Sequence, residues 1–247
     1  MSNSKLPVIK LAEVLKSEDL RLDASYYASE AYEAERILLE SGYPLEPMKK
    51  LAERIFNLPR FRRVWVQDPK HGYPYLSPTE VLYFKPLRER FVSKRKKDAS
   101  KFFVKEGWIL LTCSGAVGIP VYVTEPLTKY FLSHDIIRIV PKEGVYPGYL
   151  YAYLSTKIAK ALIMRQEYGM TVPHIEPEHV ESLPVPRLPN ELEKKIHEKI
   201  VMAWQKRVEA SKLEEEAIRE LEELLTQPLV KRKDAITPSS TAEEKAS

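Results

Sequence analysis

From Pro189 to Leu225 the chain contains no glycine and no internal proline, and most of the stretch is Glu, Lys, Leu, Ala and Ile, residues that lose little on entering a helix. Pro189 suits the opening of a helix, Asn190 can cap it, and Pro228 stops it. One uninterrupted helix is predicted, about 50 Å long. A domain of this size is narrower than that, so much of the helix is expected to leave its own globule. Ile196, Ile200, Ala203, Ala210, Ala217, Leu221 and Leu224 recur on a seven-residue stripe that Arg207 and Glu214 interrupt, and Val201, Trp204, Val208, Ile218 and Leu225 form a second stripe beside it. So broad an apolar face suits packing against more than one neighbour. The expected pairing residues are Ile196, Ile200, Ala203, Trp204, Ala210, Ala217, Leu221 and Leu224; the alternative is a solvated helix lying on its own domain.

The rest of the chain must supply the globule. With 247 residues, there is room for one large or two small domains. Cys113 is the only cysteine, which excludes an intramolecular disulfide and a Cys-rich zinc site. The amino terminus lacks an apolar signal core, and no apolar run approaches membrane-spanning length, so a cytoplasmic location is expected. Scarce Asn and Gln beside plentiful Glu, Lys, Arg and Pro hint at a thermophile.

Along the chain, residues 5–22 read as a short amphipathic segment. The compact Arg21–Tyr27 motif leads into a helix from Ala24 to Glu40, with Asp23 as its cap. Tyr43 to Tyr83 is proline-rich and irregular, with short strands near Val64–Gln67 and Tyr73–Leu76. Trp108–Thr112 and Ile119–Val123 read as a hairpin joined through Gly115 and Gly118. Phe131–Val140 is a further strand containing His134, and Pro147–Tyr168 an amphipathic helix ending at Gly169. Thr171–Ile175 is extended, and Glu176–Glu181 is a short turn or helix. Leu183–Pro189 is a stiff extended feed into the long helix. These elements predict a mixed α/β (α+β) domain over residues 1–188, with a small mixed sheet and flanking helices. The long coiled-coil-type helix over 189–225 and a polar, disordered tail over 226–247 follow.

Charge is distributed unevenly. The whole chain carries only +4, yet Lys85 to Lys105 holds nine cations and two carboxylates, a net +7, so the remainder is acidic. Such polarity is what a duplex-binding face requires. Within it, Lys94, Arg95, Lys96, Lys97 and Lys101 lie on or beside a run, Ser93 to Ser100, whose one apolar residue is Ala99; it reads as a mobile loop able to order on DNA. Arg60, Arg62 and Arg63 surround Phe61 and precede Trp65, a basic–aromatic interleaving suited to phosphate contact plus base or sugar packing. A solvated charge cluster is the competing reading of both.

Catalytic groups are not apparent. There is no Asn/Asp-Pro-Pro-Tyr/Phe methyltransferase signature, no Gly-rich cofactor loop and no Walker lysine. Ser114 does not sit in a Gly-x-Ser-x-Gly elbow. His174, Glu176, Glu178 and His179 form an acid–histidine cluster, but they straddle Pro177 without metalloprotease spacing; a turn leading into a strand is the expected role.

The ordered series from Gly107 to Ile196 resembles the specificity subunit of type I restriction–modification systems. It comprises the Gly107-Trp108-Ile109-Leu110 strand, Ser114-Gly115 and Gly118, the strand bearing His134, and the Tyr149-Leu150-Tyr151 helix with Leu154-Ser155. Gly169, the Ile175 strand and the Leu183-Pro184-Val185-Pro186 lead into the helix complete it. Where such families often carry Glu-Gln at the helix start, this chain has Glu193-Lys194. The resemblance implies target-recognition domains, each followed by a long helix and each reading half of a bipartite DNA site. With one domain and one helix, this chain looks like a half-size member. Two copies are then expected to pair through their helices and bind double-stranded DNA, with no cofactor and no catalysis of their own. DNA methyltransferase (modification) subunits and a restriction translocase–nuclease subunit are the implied partners. The arginines at 60–63 and the cations at 94–101 would hold phosphates, and Tyr168, Thr171 and His174 offer another contact surface. A coiled-coil assembly or inhibitory protein of a methyltransferase complex, or a separated DNA-recognition part of a restriction–modification enzyme, remains as the alternative.

Overall fold

Ile109, Leu110 and Leu111 are all buried, and strand alternation sends them to opposite faces of one sheet. That sheet has the order β2 (Ala52–Phe56), β9 (Ile136–Pro141), β6 (Ile109–Thr112), β7 (Pro120–Tyr122), with every pair antiparallel. The structure is a computed structural model that describes residues 29–83, 88–166 and 174–226 together with positions 11 and 15. Most of segment 5–22, the Arg21–Tyr27 motif, Lys85, Tyr168, Thr171 and the tail after residue 226 lie outside the described residues.

On one face of this sheet Ile109, Leu111, Ile137 and Ile139 pack with helices α2 (Met48–Leu51), α4 (Pro147–Leu154) and α5 (Lys157–Arg165). On the other face Leu110, Val121 and Ile136 meet Leu76, Val104, Leu127 and Leu132. Each such side chain contributes about 1.5–3 kcal/mol on burial. A second sheet has the order β3 (Trp65–Val66), β5 (Phe91–Ser93), β4 (Gly72–Leu76), β8 (Phe131–Leu132), with β4 and β8 parallel. Its core is aromatic, built on Tyr75, Phe102 and Phe131. A two-stranded ribbon pairs β1 (Leu45–Pro47) with β10 (Pro184–Pro186). Helix α1 (Ser29–Glu40) lies along α5, tied by an Arg165–Glu35 ion pair. Short helices α3 (Pro78–Val81) and α6 (Pro177–Glu181) complete the domain. The architecture is mixed α/β with small sheets and a long carboxy-terminal helix, as the sequence predicts.

Several boundaries differ from expectation. The stretch expected to run as one strand from Phe131 to Val140 is two, because the chain leaves the second sheet after Leu132 and joins the first at Ile136. The cause is Arg138, a fully buried arginine whose guanidinium donates to Ser133 O (3.1 Å) and Ile136 O (2.9 Å), closing the Ser133–Asp135 corner. The helix expected from Pro147 is interrupted at Ser155–Thr156, where the Thr156 hydroxyl accepts from Ala159 N (3.1 Å) and starts a new helix. The proline-rich stretch from Tyr43 holds more structure than expected, since β1, α2 and β2 lie within it. Its β1 ribbon joins strands that carry three prolines between them. Pro184 and Pro186 have no N–H, and their carbonyls accept the Tyr153 and Tyr149 hydroxyls.

Helix α7 (Asn190–Thr226) is continuous over 37 residues. Pro189 rather than Asn190 stands at its cap, its carbonyl accepting from Leu192 N and Glu193 N. The chain divides into two compact units, residues 1–204 and 205–247, so the first turns of α7 belong to the domain. Three residues expected on the pairing face are used there instead. Ile196 and Ile200 pack against the domain's own core clusters, and Trp204 is buried against Tyr122 and Tyr151. In the second unit every described residue from 212 to 226 is exposed, including Ala217, Leu221 and Leu224; Ala203 and Ala210 are exposed too.

Gly148 is where α4 meets α7. Its N–H donates to His197 Nδ1 (3.0 Å), and an added Cβ would sit 2.6 Å from that nitrogen and 2.8 Å from His197 O. Backbone at that distance has no room to give. Gly148→Ala is therefore expected to lower stability by about 1–3 kcal/mol, read as a lower midpoint in denaturant. An unchanged midpoint would mean that α7 does not rest here.

Candidate nucleic-acid interface

Phe61 links the two basic runs that the sequence separates by some thirty positions. Its ring meets Phe102 edge-on at 4.6 Å and Phe131 at 5.5 Å, while Phe102 stacks on Phe131 at 4.3 Å. Cations ride on this aromatic floor. Arg63 lies 5.7 Å from the Phe61 centroid and 5.5 Å from that of Tyr75. Lys96 is 5.3 Å from both Phe61 and Phe102. Lys94 covers Tyr73 at 5.8 Å, and Arg90 covers Trp65 at 5.3 Å and Tyr75 at 5.4 Å. Each contact contributes about 0.5–1 kcal/mol at an exposed site. The larger consequence is that the alkyl stems are held, which lowers the entropic cost when a head group takes a phosphate.

Ion pairing separates these cations into two groups. Arg90 meets the buried Glu80 carboxylate at 2.6 Å, and Arg63 meets Asp135 at 3.7 Å and donates to Ser133 Oγ at 3.4 Å. Lys101 faces Asp98 at 3.6 Å with both side chains largely exposed, a pair worth at most about 1 kcal/mol. Arg60, Arg62, Lys94, Arg95, Lys96 and Lys97 have no carboxylate partner among the described residues. These six hold the charge most available to an incoming polyanion.

The expectation of a loose loop over Ser93–Ser100 is corrected. Lys94 N bonds His71 O, Lys96 N bonds Ser93 O, and Lys94 Nζ reaches Lys70 O (3.0 Å). Asp98 takes the left-handed backbone (φ 56°) that starts a 3-10 turn over Ala99–Phe102, with Ala99 and Phe102 buried. The apolar anchor lies just past the lysine run, in Phe102.

The Ser133–Asp135 corner adjoins this floor. His134 meets Phe61 edge-on at 5.5 Å and Asp135 at 3.2 Å. Burial holds the imidazole below its ordinary pKa; Asp135 opposes that, while Arg63, Arg60 and Arg138 reinforce it. Burial lowers His197 in the same way. The unfolded chain therefore takes up protons at higher pH than the folded one. Stability is full above the unfolded value of 6.5 and is lost as pH falls towards the lower folded values. Melting at pH 7.5 and pH 5.5 is expected to show a decrease, smaller in His134→Gln; an increase on acidification would contradict this placement.

His174 is engaged elsewhere. It bridges to Ser114 and lies 3.2 Å from Glu176, whose other oxygen accepts from Asn57 Nδ2 at 3.2 Å. Glu176 and His179 form the reciprocal cap of α6, so this acid–histidine cluster serves a helix terminus. Burial chiefly pushes the Cys113 thiol up to about 12, with Asp135 and Glu176 adding to it, and such a thiol is inert. Sequence reading missed Tyr73, Tyr75, Phe102 and Phe131, and counted Arg90 only within the cationic segment. Tyr73-Pro74-Tyr75 and Phe102-Phe103 were visible signals, but the parallel β4–β8 pairing that sets Tyr75 beside Phe131, and the stacking of Phe102 on Phe131, were not.

A model of the type I restriction modification DNA specificity domain matches residues 61–223. The chain is 26% identical over 128 residues to the type I restriction enzyme MjaIX specificity subunit of Methanocaldococcus jannaschii, covering 50% of this chain and 29% of that one. Its fold is similar to the S subunit of a type I restriction–modification system from M. genitalium, with a TM-score of 0.51 and 14% identity over 74% of this chain and 44% of that one. The HsdS subunit from Thermoanaerobacter tengcongensis aligns with a TM-score of 0.46 and 12% identity, over 82% of this chain and 50% of that one. The chain thus spans half or less of the length of each.

Proposed function

This chain belongs to the type I restriction–modification DNA specificity family, and we propose that it is a DNA-binding module that directs methyltransferase subunits, and with them a restriction translocase–nuclease subunit, to a bipartite site. It performs no catalysis itself and works in the cytoplasm; among the described residues no helix is long and apolar enough to cross a membrane. Residues 1–188 form the recognition domain and 189–225 the spacer helix. The observation that carries the reading is the gathering of cations from both basic runs on one aromatic floor, with Arg63 and Lys96 sharing Phe61. Phosphate contacts from these groups set the register, and loop side chains reach base edges in the major groove.

Two copies pair through the second part of α7. Leu213, Ile218, Leu221, Leu224 and Leu225 are all at least half exposed, an apolar load that a solitary solvated helix does not carry without cost. Ala210, Ala217, Leu221 and Leu224 lie at the contact, and two-fold pairing turns a single recognition domain into a reader of inverted repeats. Sedimentation of the purified chain at micromolar concentration tests the pairing: a dimer is expected, converted to monomer by Leu221→Glu with Leu224→Glu. A wild-type monomer, also when methyltransferase subunit is present, contradicts it. The same exposed leucines favour a second reading, an assembly or inhibitory protein that occupies a methyltransferase without reading DNA; duplex binding by the isolated chain separates the two.

A further inference from the structure

A cleft of about 480 Å³ opens beside the edge strand β2, lined by Arg54, Phe56, Lys101, Phe103, Lys105 and Trp108 among others, and of these only Lys101 belongs to the groups assigned to duplex contact. Strand alternation puts Arg54 and Phe56 on the same face of β2. The Arg54 guanidinium lies 5.1 Å from the Phe56 centroid, and Trp108 meets Phe56 edge-on at 6.3 Å. Phe56, Phe103 and Trp108 are half-buried, while Arg54, Lys101 and Lys105 are exposed. Among the described residues, no carboxylate lines the cleft. Glu53 and Asp98 approach Arg54 and Lys101 from outside, at 3.9 and 3.6 Å, with all four side chains more than half exposed. Pairs of that kind are weak and readily exchanged for a stronger anion.

Three rings and three cations restrict the occupant. Inorganic phosphate would leave the rings in water, and a neutral aromatic would leave the cations unused. A volume within the range of about 300–1,000 Å³ typical of small-ligand sites admits a ligand that carries both a flat ring and an anion. The geometry points to a nucleotide-binding cleft, with a base against Trp108 and Phe103 and a phosphate among Arg54, Lys101 and Lys105. Base–aromatic packing joined to phosphate charge is the chemistry that binds nucleotide units irrespective of sequence. The assignment does not rest on the duplex-reading proposal.

Calorimetric titration of the full chain with adenosine 5′-monophosphate tests it. Saturable binding is expected, at least tenfold tighter than adenosine or inorganic phosphate. The double variant Arg54→Glu with Lys105→Glu alters only exposed side chains; it should weaken that binding at least tenfold with only a small decrease in its unfolding midpoint, from the lost Arg54–Phe56 contact. Trp108→Leu should weaken it as well, wherever that variant retains the wild-type circular dichroism. A short single-stranded oligothymidylate identifies the source. Displacement of the mononucleotide by the strand, at tighter affinity, assigns the cleft to a strand's nucleotide, and failure to displace assigns it to a free nucleotide. The idea is overturned if neither probe binds, if inorganic phosphate binds as well as the mononucleotide, or if the double variant binds undiminished. The fourfold alanine variant of residues 94–97 should keep its nucleotide binding whatever it does to duplex binding, so the two proposals fail separately.

Discussion

Arg187→Ala is expected to cost the domain about 3 kcal/mol, the lower end of the range for breaking a buried ion pair from one side. Arg187 holds three elements at the root of α7. Its Nε and Nη2 donate to the two oxygens of Glu193 at 2.9 and 3.1 Å, and its Nη1 donates to Glu46 at 2.8 Å. The Glu193 hydrogen bonds raise the guanidinium's pKa well above its ordinary value. Arg187 itself is partly open to water, but the Glu193 side chain is only 2% exposed, and the carboxylate also accepts from Leu188 N at 3.0 Å. Removing the arginine strands that carboxylate in the interior. Lysine keeps the charge without the fork, so Arg187→Lys should fall between alanine and wild type. Replacing Arg187 and Glu193 together by methionine should recover most of the loss. A denaturant midpoint for Arg187→Ala close to wild type would show that α7 is not rooted through this pair.

The second large effect concerns DNA. Changing Lys94, Arg95, Lys96 and Lys97 together to alanine is expected to flatten the dependence of duplex affinity on salt. The logarithmic slope should fall by about 0.9 for each phosphate left without its cation, up to about 3.6 for four. Between about 50 and 200 mM salt, that difference amounts to on the order of 100-fold in affinity. Lys94 and Lys96 are the stronger contributors, because Tyr73, Phe61 and Phe102 hold them in place. Arg90→Ala makes the contrast. Its charge is already matched by Glu80, so it should disturb the fold more than the slope. An unchanged slope in the fourfold variant rejects this turn as a phosphate-binding element.

Elements whose reasons are local were legible in the sequence. The absence of Gly and Pro over 190–225 marks α7, and the glycines at 115 and 118, both at positive φ, mark the β6–β7 turn. Where tertiary contacts decide, local pattern failed. Nothing in the run from Phe131 to Val140 tells that Arg138 will bury itself and fold the chain at Ser133. The apolar stripe on α7 is real, but periodicity does not say which neighbour covers it; Tyr122 and Tyr151 claim Trp204, leaving the later leucines exposed. For the candidate interface, the charge was visible and the floor was not, because Phe61, from an irregular segment, and Phe102, from a 3-10 turn, pack on the strand residues Tyr73 and Phe131 only through tertiary contacts.

Selection of duplexes from a random-sequence library by the purified chain, alone and with methyltransferase subunit, followed by sequencing, tests most directly whether this molecule reads DNA. The expected result is enrichment of one sequence present as two inverted copies held at a fixed separation. A folded, dimeric chain that retains duplexes without enriching any sequence, or retains none, would contradict the account.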